Sequence, residues 1–224
     1  MPRTYPISLN IEGRLCLVAG GGQVAERKTG SLLECGARVR LVSPAITGKL
    51  REMADGGVIE YIAGCYSEKH LEGVFLAIGA TGSDQVNARV SADCMQRGML
   101  VNVVDDPPLG NFYVPAVVRR GPLVIAVSTD GRSPLLARRI REQLEEMFPG
   151  EYGDVVELVG QLREKIISES GRQDGKEGGK EGRISSLLDR EVMDLLKAGE
   201  FDRAKERISN AYLGGGSELQ DRSR

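Results

Sequence analysis

The chain has 224 residues, with 30 basic and 32 acidic side chains and a formal charge of −2, which argues against a nucleic-acid binder that relies on global positive charge. Its hydrophobic share of 41% sustains a packed core, and with no Trp and only 4% aromatics that core must be built from Leu, Val, Ile and Ala. The opening "MPRTYPISLNIEGR" lacks the apolar run of a signal peptide and no run reaches membrane-spanning length, so a soluble cytoplasmic protein with no membrane partner is expected.

In chain order, "RLCLVAG" (14–20) is an apolar run ending in glycine, and Gln23–Cys35 carries Val24, Leu32 and Leu33 at helical spacing, with Gly36 as a left-handed stop. "ARVRLVSP" (37–44) and "VIEYIAG" (58–64) read as the second and third strands. "GVFLAIGAT" (73–81) is a continuous apolar run, as a strand covered on both faces requires. Val86, Val90 and Cys94 then recur at helical spacing up to Gly98, and "MLVNVVDD" (99–106) is a fifth strand. This alternation predicts a doubly wound parallel sheet with its ligand at the carboxyl ends of the strands.

The pattern changes near residue 112. "NFYVPAVVRRGPLVIAVST" holds two strand-like runs around a turn at Arg120–Pro122, and "SPLLARRIREQLEEMF" follows as a helix that Ser133 can cap, with Pro134 in its first turn. Another helix covers roughly 152–168. The segment 168–183 is Gly- and charge-rich, which predicts a flexible linker. Beyond it "ISSLLDREVMDLLKAGEFDRAKERISNAYL" reads as a helical pair broken near Gly199, and 214–224 as a disordered tail. The expected organisation is an α/β Rossmann-like parallel-sheet domain over 1–112, a small α+β domain over 113–147, and a helical region over 148–213.

Three constellations carry chemistry. Gly20, Gly22 and Ala25, with an extra Gly21, fit the G-x-G-x-x-[GA] turn, in which glycine lets backbone approach a pyrophosphate and the helix N-terminus receives it. Arg27 and Lys28 follow closely enough to face phosphate. The acid that usually holds a ribose at the end of the second strand is replaced by Ser43 and Pro44, of which Ser43 is placed to hydrogen-bond a ribose. Arg38 and Arg40 raise NADP, yet they lie inside the strand and not beyond its end. In "VNVVDDPPLGNF", Asn102, Asp105 and Asp106 lie at the end of the fifth strand, where a carboxylate could take a proton as hydride leaves to nicotinamide. In "STDGRSPLLARRIR", Arg132 beside the helix start, with Arg119 and Arg120 in the hairpin turn, could bind a polyanion; Arg138, Arg139 and Arg141 read instead as a solvated or dimer-facing stripe. The single histidine, His70, reads as an exposed residue in a short helical turn. Cys16, Cys35, Cys65 and Cys94 have no CxxC spacing and read as free, mostly buried thiols, with no resident metal site.

Together, in this order, "LVAGGGQVAERKTGSLLECGARVRLVSP", "IGATGSDQVNARV" and "VNVVDDPPLGNFYVPAVVRRGPLVIAVSTDGRSPLLARRIREQLE" resemble the precorrin-2 dehydrogenase / sirohydrochlorin ferrochelatase family, the oxidising and chelating part of siroheme synthase, over about residues 3–165. The resemblance implies NAD-dependent oxidation of precorrin-2 to sirohydrochlorin, with some members also inserting ferrous iron to give siroheme. It maps the key catalytic Asp onto Asp105. It carries the cofactor contacts over to Gly20, Gly21, Gly22, Gln23, Val24, Ser43, Pro44 and Thr81, and makes Ser43–Pro44 the family's own strand ending. Substrate contacts are expected from Asn102, Arg120, Arg132 and Ser133, because the tetrapyrrole carries many carboxylates. It implies a homodimer built through 113–147. The chain lacks the length of the fused methyltransferase form, so a stand-alone enzyme is expected. A non-catalytic NAD-sensing module would explain the glycine turn but not "NVVDD". An unrelated NAD(P) oxidoreductase acting on a small acid would need a catalytic His or Lys in the crevice, for which His70 is poorly placed.

Overall fold

The computed structural model describes residues 4–170 and 177–217, and they divide into two compact units. The first holds the described residues up to Val114, together with Asp130–Ser133. Its five strands, β1 (Leu15–Ala19), β2 (Arg38–Ser43), β3 (Glu60–Ala63), β4 (Leu76–Gly79) and β5 (Leu100–Val103), form one parallel sheet in the order β3-β2-β1-β4-β5. This is a Rossmann-like doubly wound sheet, and its strand order reverses between the central β1 and β4.

Alternating residues of each strand feed two separate cores, as the two-residue period of a strand dictates. Cys16, Val18, Val39, Leu41, Leu76 and Ile78 face one side, where helix α1 (Gln23–Glu34) contributes Ala25 and Leu32 and helix α2 (Gly48–Asp55) contributes Leu50. Leu17, Ala19, Val42, Ala77, Val101 and Val103 face the other, against Val90 and Cys94 of helix α3 (Asp84–Gln96). Helix α2 packs Leu50, Met53 and Ala54 on this core, and it starts where the Thr47 hydroxyl accepts from the Leu50 N–H at 3.3 Å and caps it. Gly36 stops α1 with φ +75°, as its position after the last apolar turn implies.

His70 departs from expectation. The helical turn is there, a 3-10 turn at Glu68–Leu71, but His70 is buried, 7% exposed, with its Nδ1 accepting from the Ser67 N–H at 3.1 Å. The cysteines are free, with Cys16 and Cys94 buried but Cys35 and Cys65 exposed.

The second unit comprises Pro115–Thr129 and the described residues from Pro134 onward. Strands β6 (Ala116–Arg120) and β7 (Leu123–Val127) pair antiparallel with Arg120 opposite Leu123, and Gly121 starts the tight turn at φ +53°. Helix α4 (Pro134–Met147) packs on this hairpin. Helix α5 (Glu151–Ser170) reaches it at Gly153, where a Cβ would lie 2.9 Å from the Arg120 carbonyl oxygen. Helices α6 (Glu177–Ser186), α7 (Arg190–Lys197) and α8 (Phe201–Ser217) enclose a core with α5, built on Leu162, Ile166, Leu187, Val192, Leu196, Ala204 and Ile208. Gly199, at φ +76°, makes the break between α7 and α8. Both ends of the expected linker are helical, with α5 continuing to Ser170 and α6 starting at Glu177; 171–176 lie outside the described residues. The expected disordered tail is corrected in the same way, since α8 runs on to Ser217, and 218–224 lie outside the described residues.

Candidate active site

The glycine turn closes the carboxyl end of β1, and its three glycines do different things. Gly20 takes φ +129°, and a Cβ there would sit 2.2 Å from the Ala80 carbonyl oxygen at the end of β4. A Cβ on Gly21 would sit 1.9 Å from the Ala45 carbonyl oxygen in the loop after β2. These two glycines let the turn press against its neighbouring strand ends. The turn is tied there by Gly20 N–H to the Val42 carbonyl at 2.9 Å and Thr47 N–H to the Gly21 carbonyl at 3.0 Å.

Gly22 is different. A Cβ there meets nothing within 4 Å, and Gly22 is the N-cap of α1 with no side chain capping it. The first N–H groups of α1 have no intrahelical partner, and the backbone at Gly22 beside them is uncovered. That is the geometry a pyrophosphate needs, so the residues fit a dinucleotide. Ala25, fully buried against the sheet, is the small residue that lets α1 pack close.

Ser43 spends its hydroxyl proton on its own chain. It is 7% exposed and donates to the Ala45 carbonyl at 2.7 Å, which shapes the turn at the end of β2; Pro44 next to it is exposed. Arg40 is committed elsewhere, donating to Glu60 and to the carbonyls of His70 and Glu72 at 3.0 Å each, so it cannot read a 2′-phosphate. The loop after β2 is joined to α1 through Glu26, which accepts from the Thr47 hydroxyl at 2.6 Å.

Thr81 lies just beyond β4 and is held by a residue that sequence reasoning overlooked. Asn87 of α3, buried, accepts from the Thr81 N–H at 3.2 Å and returns its own amide to the Thr81 carbonyl at 3.1 Å. The signal was legible as the Ser83 cap of α3, which places Asn87 one turn in, toward the strand end.

Asp105 lies two residues past β5, exposed, at φ +61°, in the left-handed region that Asp tolerates better than most side chains. The ladder with β4 ends just before it, with Val104 N–H on the Gly79 carbonyl at 2.9 Å. After Asp106, the 3-10 turn Pro107–Leu109 turns the chain back, and Asn111 covers the free edge of β5. Its N–H meets the Val101 carbonyl at 2.9 Å, its Oδ1 accepts from the Val101 N–H at 2.8 Å, and its amide donates to the Met99 carbonyl at 2.8 Å. Asn102 braces the same return segment, donating from a buried position to the Phe112 carbonyl at 3.1 Å.

Arg120, also expected at the substrate, is corrected by its partners. Its guanidinium donates to the carbonyls of Phe148 at 2.7 Å, Glu145 at 3.1 Å and Arg119 at 3.1 Å, closing the carboxyl end of α4. Arg132 is exposed and Ser133 half-buried, and their loop belongs to the unit that carries the glycine turn and Asp105. In that loop Asp130, at φ +51°, accepts from the Thr4 hydroxyl. Arg138 and Arg139 pair with Glu142, and Arg141 with Glu145, along α4.

Comparisons with known proteins find relatives for both parts of the chain. A family described as putative NAD(P)-binding matches residues 7–116, and the sirohaem biosynthesis protein central family matches 120–147. A siroheme synthase of Photobacterium profundum is 37% identical over 209 residues, covering 92% of this chain and 43% of that protein. One of Nitrosomonas europaea is 43% identical over 162 residues, covering 72% and 34%. The chain thus spans less than half the length of these curated relatives. A solved structure of SirC, a precorrin-2 dehydrogenase, superposes with a TM-score of 0.72 at 30% identity, covering 91% of this chain and 100% of that one.

Proposed function

We propose an NAD-dependent oxidation of precorrin-2 to sirohydrochlorin for this chain, which belongs to the precorrin-2 dehydrogenase family of siroheme biosynthesis. The observation that carries the reading is Asp105, an exposed carboxylate in a left-handed conformation at the strand end of a sheet whose glycine turn leaves the Gly22 backbone open.

NAD, when bound, supplies the hydride acceptor. The N–H groups at the start of α1 hold its pyrophosphate, Gly22 keeps that approach clear, and the Thr81 and Ser43 turns shape the walls beside it. Asp105 accepts the proton that the tetrapyrrole gives up as its hydride departs, and releases it to solvent. The balance is precorrin-2 and NAD⁺ to sirohydrochlorin, NADH and one proton.

Ferrous iron is a second substrate in this reading. Asp105 then takes pyrrole N–H protons as the metal enters the sirohydrochlorin ring. Arg132 and Ser133 remain candidates for the tetrapyrrole. The working species is a homodimer joined through 113–147, supported by the exposed Val124, Leu135 and Leu136 there. The cytoplasm suits four free thiols, and among the described residues no helix is long and apolar enough to cross a membrane.

The test is an anaerobic assay with precorrin-2 and NAD, following sirohydrochlorin and NADH by absorbance. Asp105→Asn is expected to lower kcat by about 100-fold or more while NAD affinity holds within about twofold. Wild-type rates in that variant would remove Asp105 from the chemistry, and NAD binding without turnover in the native protein would favour the sensing module. Ferrous iron added to sirohydrochlorin, against an enzyme-free control, tests chelation.

A further inference from the structure

An anionic tetrapyrrole brought against Asp105 meets a like charge, so a cation is needed beside it. Four cations of this unit are already paired with carboxylates. Arg40 pairs with Glu60 at 3.0 Å, Lys49 with Glu26 at 3.9 Å, Arg89 with Asp93 at 3.8 Å and Arg97 with Glu68 at 2.6 Å. Lys28 of α1 forms no salt bridge among the described residues, yet it is half-buried. A half-buried lysine that is not tied into a salt bridge keeps its ammonium available to the negative charge of a ligand.

Its place on α1 says which ligand. Lys28 follows Ala25 by three residues and precedes Leu32 by four, so it shares their face of the helix. Ala25 and Leu32 belong to the core against which Val104, the residue before Asp105, also packs. Lys28 therefore projects on the Asp105 side of the helix, roughly 8 Å along the axis from Gln23. The anion-binding N–H groups at Gly22–Val24 are one to two turns away. The electrostatics agree: burial and Arg27 pull the Lys28 pKa below the ordinary lysine value, and Asp105 acts in the opposite direction.

We propose that Lys28 is a substrate-binding residue, pairing with a side-chain carboxylate of the tetrapyrrole and so seating the macrocycle against Asp105. This rests on the precorrin-2 reading above and adds a specific anchor to it. Arg27, exposed on the next position of the helix, is not required by the argument.

The experiment compares wild type, Lys28→Met and Lys28→Arg in steady-state oxidation of precorrin-2, and in sirohydrochlorin binding measured without NAD. Lys28→Met is expected to raise the KM for precorrin-2 and the Kd for sirohydrochlorin about tenfold, the range of one charge-assisted hydrogen bond. The KM for NAD should stay within about twofold, and Lys28→Arg should recover most of the tetrapyrrole affinity. A rise in KM for NAD instead would assign Lys28 to the cofactor phosphates and overturn the proposal. So would equal losses in the Met and Arg variants, which mark a packing role, or no change in either. A wild-type protein that neither oxidises precorrin-2 nor binds sirohydrochlorin would overturn the functional reading itself, and this anchor with it.

Discussion

Arg120 shows how one side chain can mislead when its partners are unknown. In the sequence it is half of an Arg-Arg pair in a hairpin turn, a natural place for an anion site. In the fold it donates to three backbone carbonyls, two of them at the carboxyl end of α4, where helix carbonyls lack internal partners. Arg120→Met is therefore expected to lower stability by about 2 kcal/mol, read as a shifted midpoint in urea unfolding, and to leave the KM for precorrin-2 within about twofold. A large rise in that KM with unchanged stability would return Arg120 to the substrate. Asn102 and Ser43, both legible as polar residues at strand ends, each donate one hydrogen bond to a backbone carbonyl of the chain itself. Asp105 differs because it is exposed and held at φ +61°.

The short 3-10 turn at Glu68–Leu71 makes an element-scale prediction. His70 closes it by accepting the Ser67 N–H on Nδ1, with the Tyr66 ring edge-on at 6.2 Å. Burial chiefly, then Lys69 and Arg40, lowers the His70 pKa, while Glu60 opposes. The folded state thus resists a proton that the unfolded chain accepts near pH 6.5. This contribution to stability is present above that pH and is lost as pH falls through the folded pKa. Protonation would also put a proton on the nitrogen that accepts from Ser67. Urea midpoints at pH 7.5 and 5.5 should fall more in wild type than in His70→Gln. Equal falls would show that the turn does not depend on a neutral imidazole. The residue type and the helical turn were readable in "YSEKHLEG"; the burial was not, because it comes from the neighbouring strands.

For the whole molecule, the dimer expectation is the one to test. Leu135 and Leu136 at the start of α4 are 68% and 52% exposed, and Val124 on β7 is 42% exposed. The hairpin packed by α4 and α5 still leaves these residues exposed, and a second copy would cover them. Light scattering is expected to give a dimer for the native chain and a monomer for Leu135→Asp; a native monomer would reject the interface. Much of the architecture was readable before any coordinates, because periods of two and 3.6 residues, glycine stops and a strand–glycine–helix sequence are local properties of the chain. All five strands of the first sheet, the hairpin and α4 were found that way, as were the glycine turn and the acid at the end of β5. Helix α2 was not read from the sequence; it is short, eight residues with Leu50, Met53 and Ala54 on its core side and a Thr cap at its start. The helical ends of 168–183 were missed because charged, glycine-rich composition argues for disorder, whereas Ile166 and Leu187 on either side are buried in one helical core. Sequence by itself determined the order of elements, the candidate cofactor turn and the candidate acid. Only tertiary structure decided which polar side chains remain available for ligands, because that depends on the carbonyls and carboxylates that distant segments bring within hydrogen-bonding range.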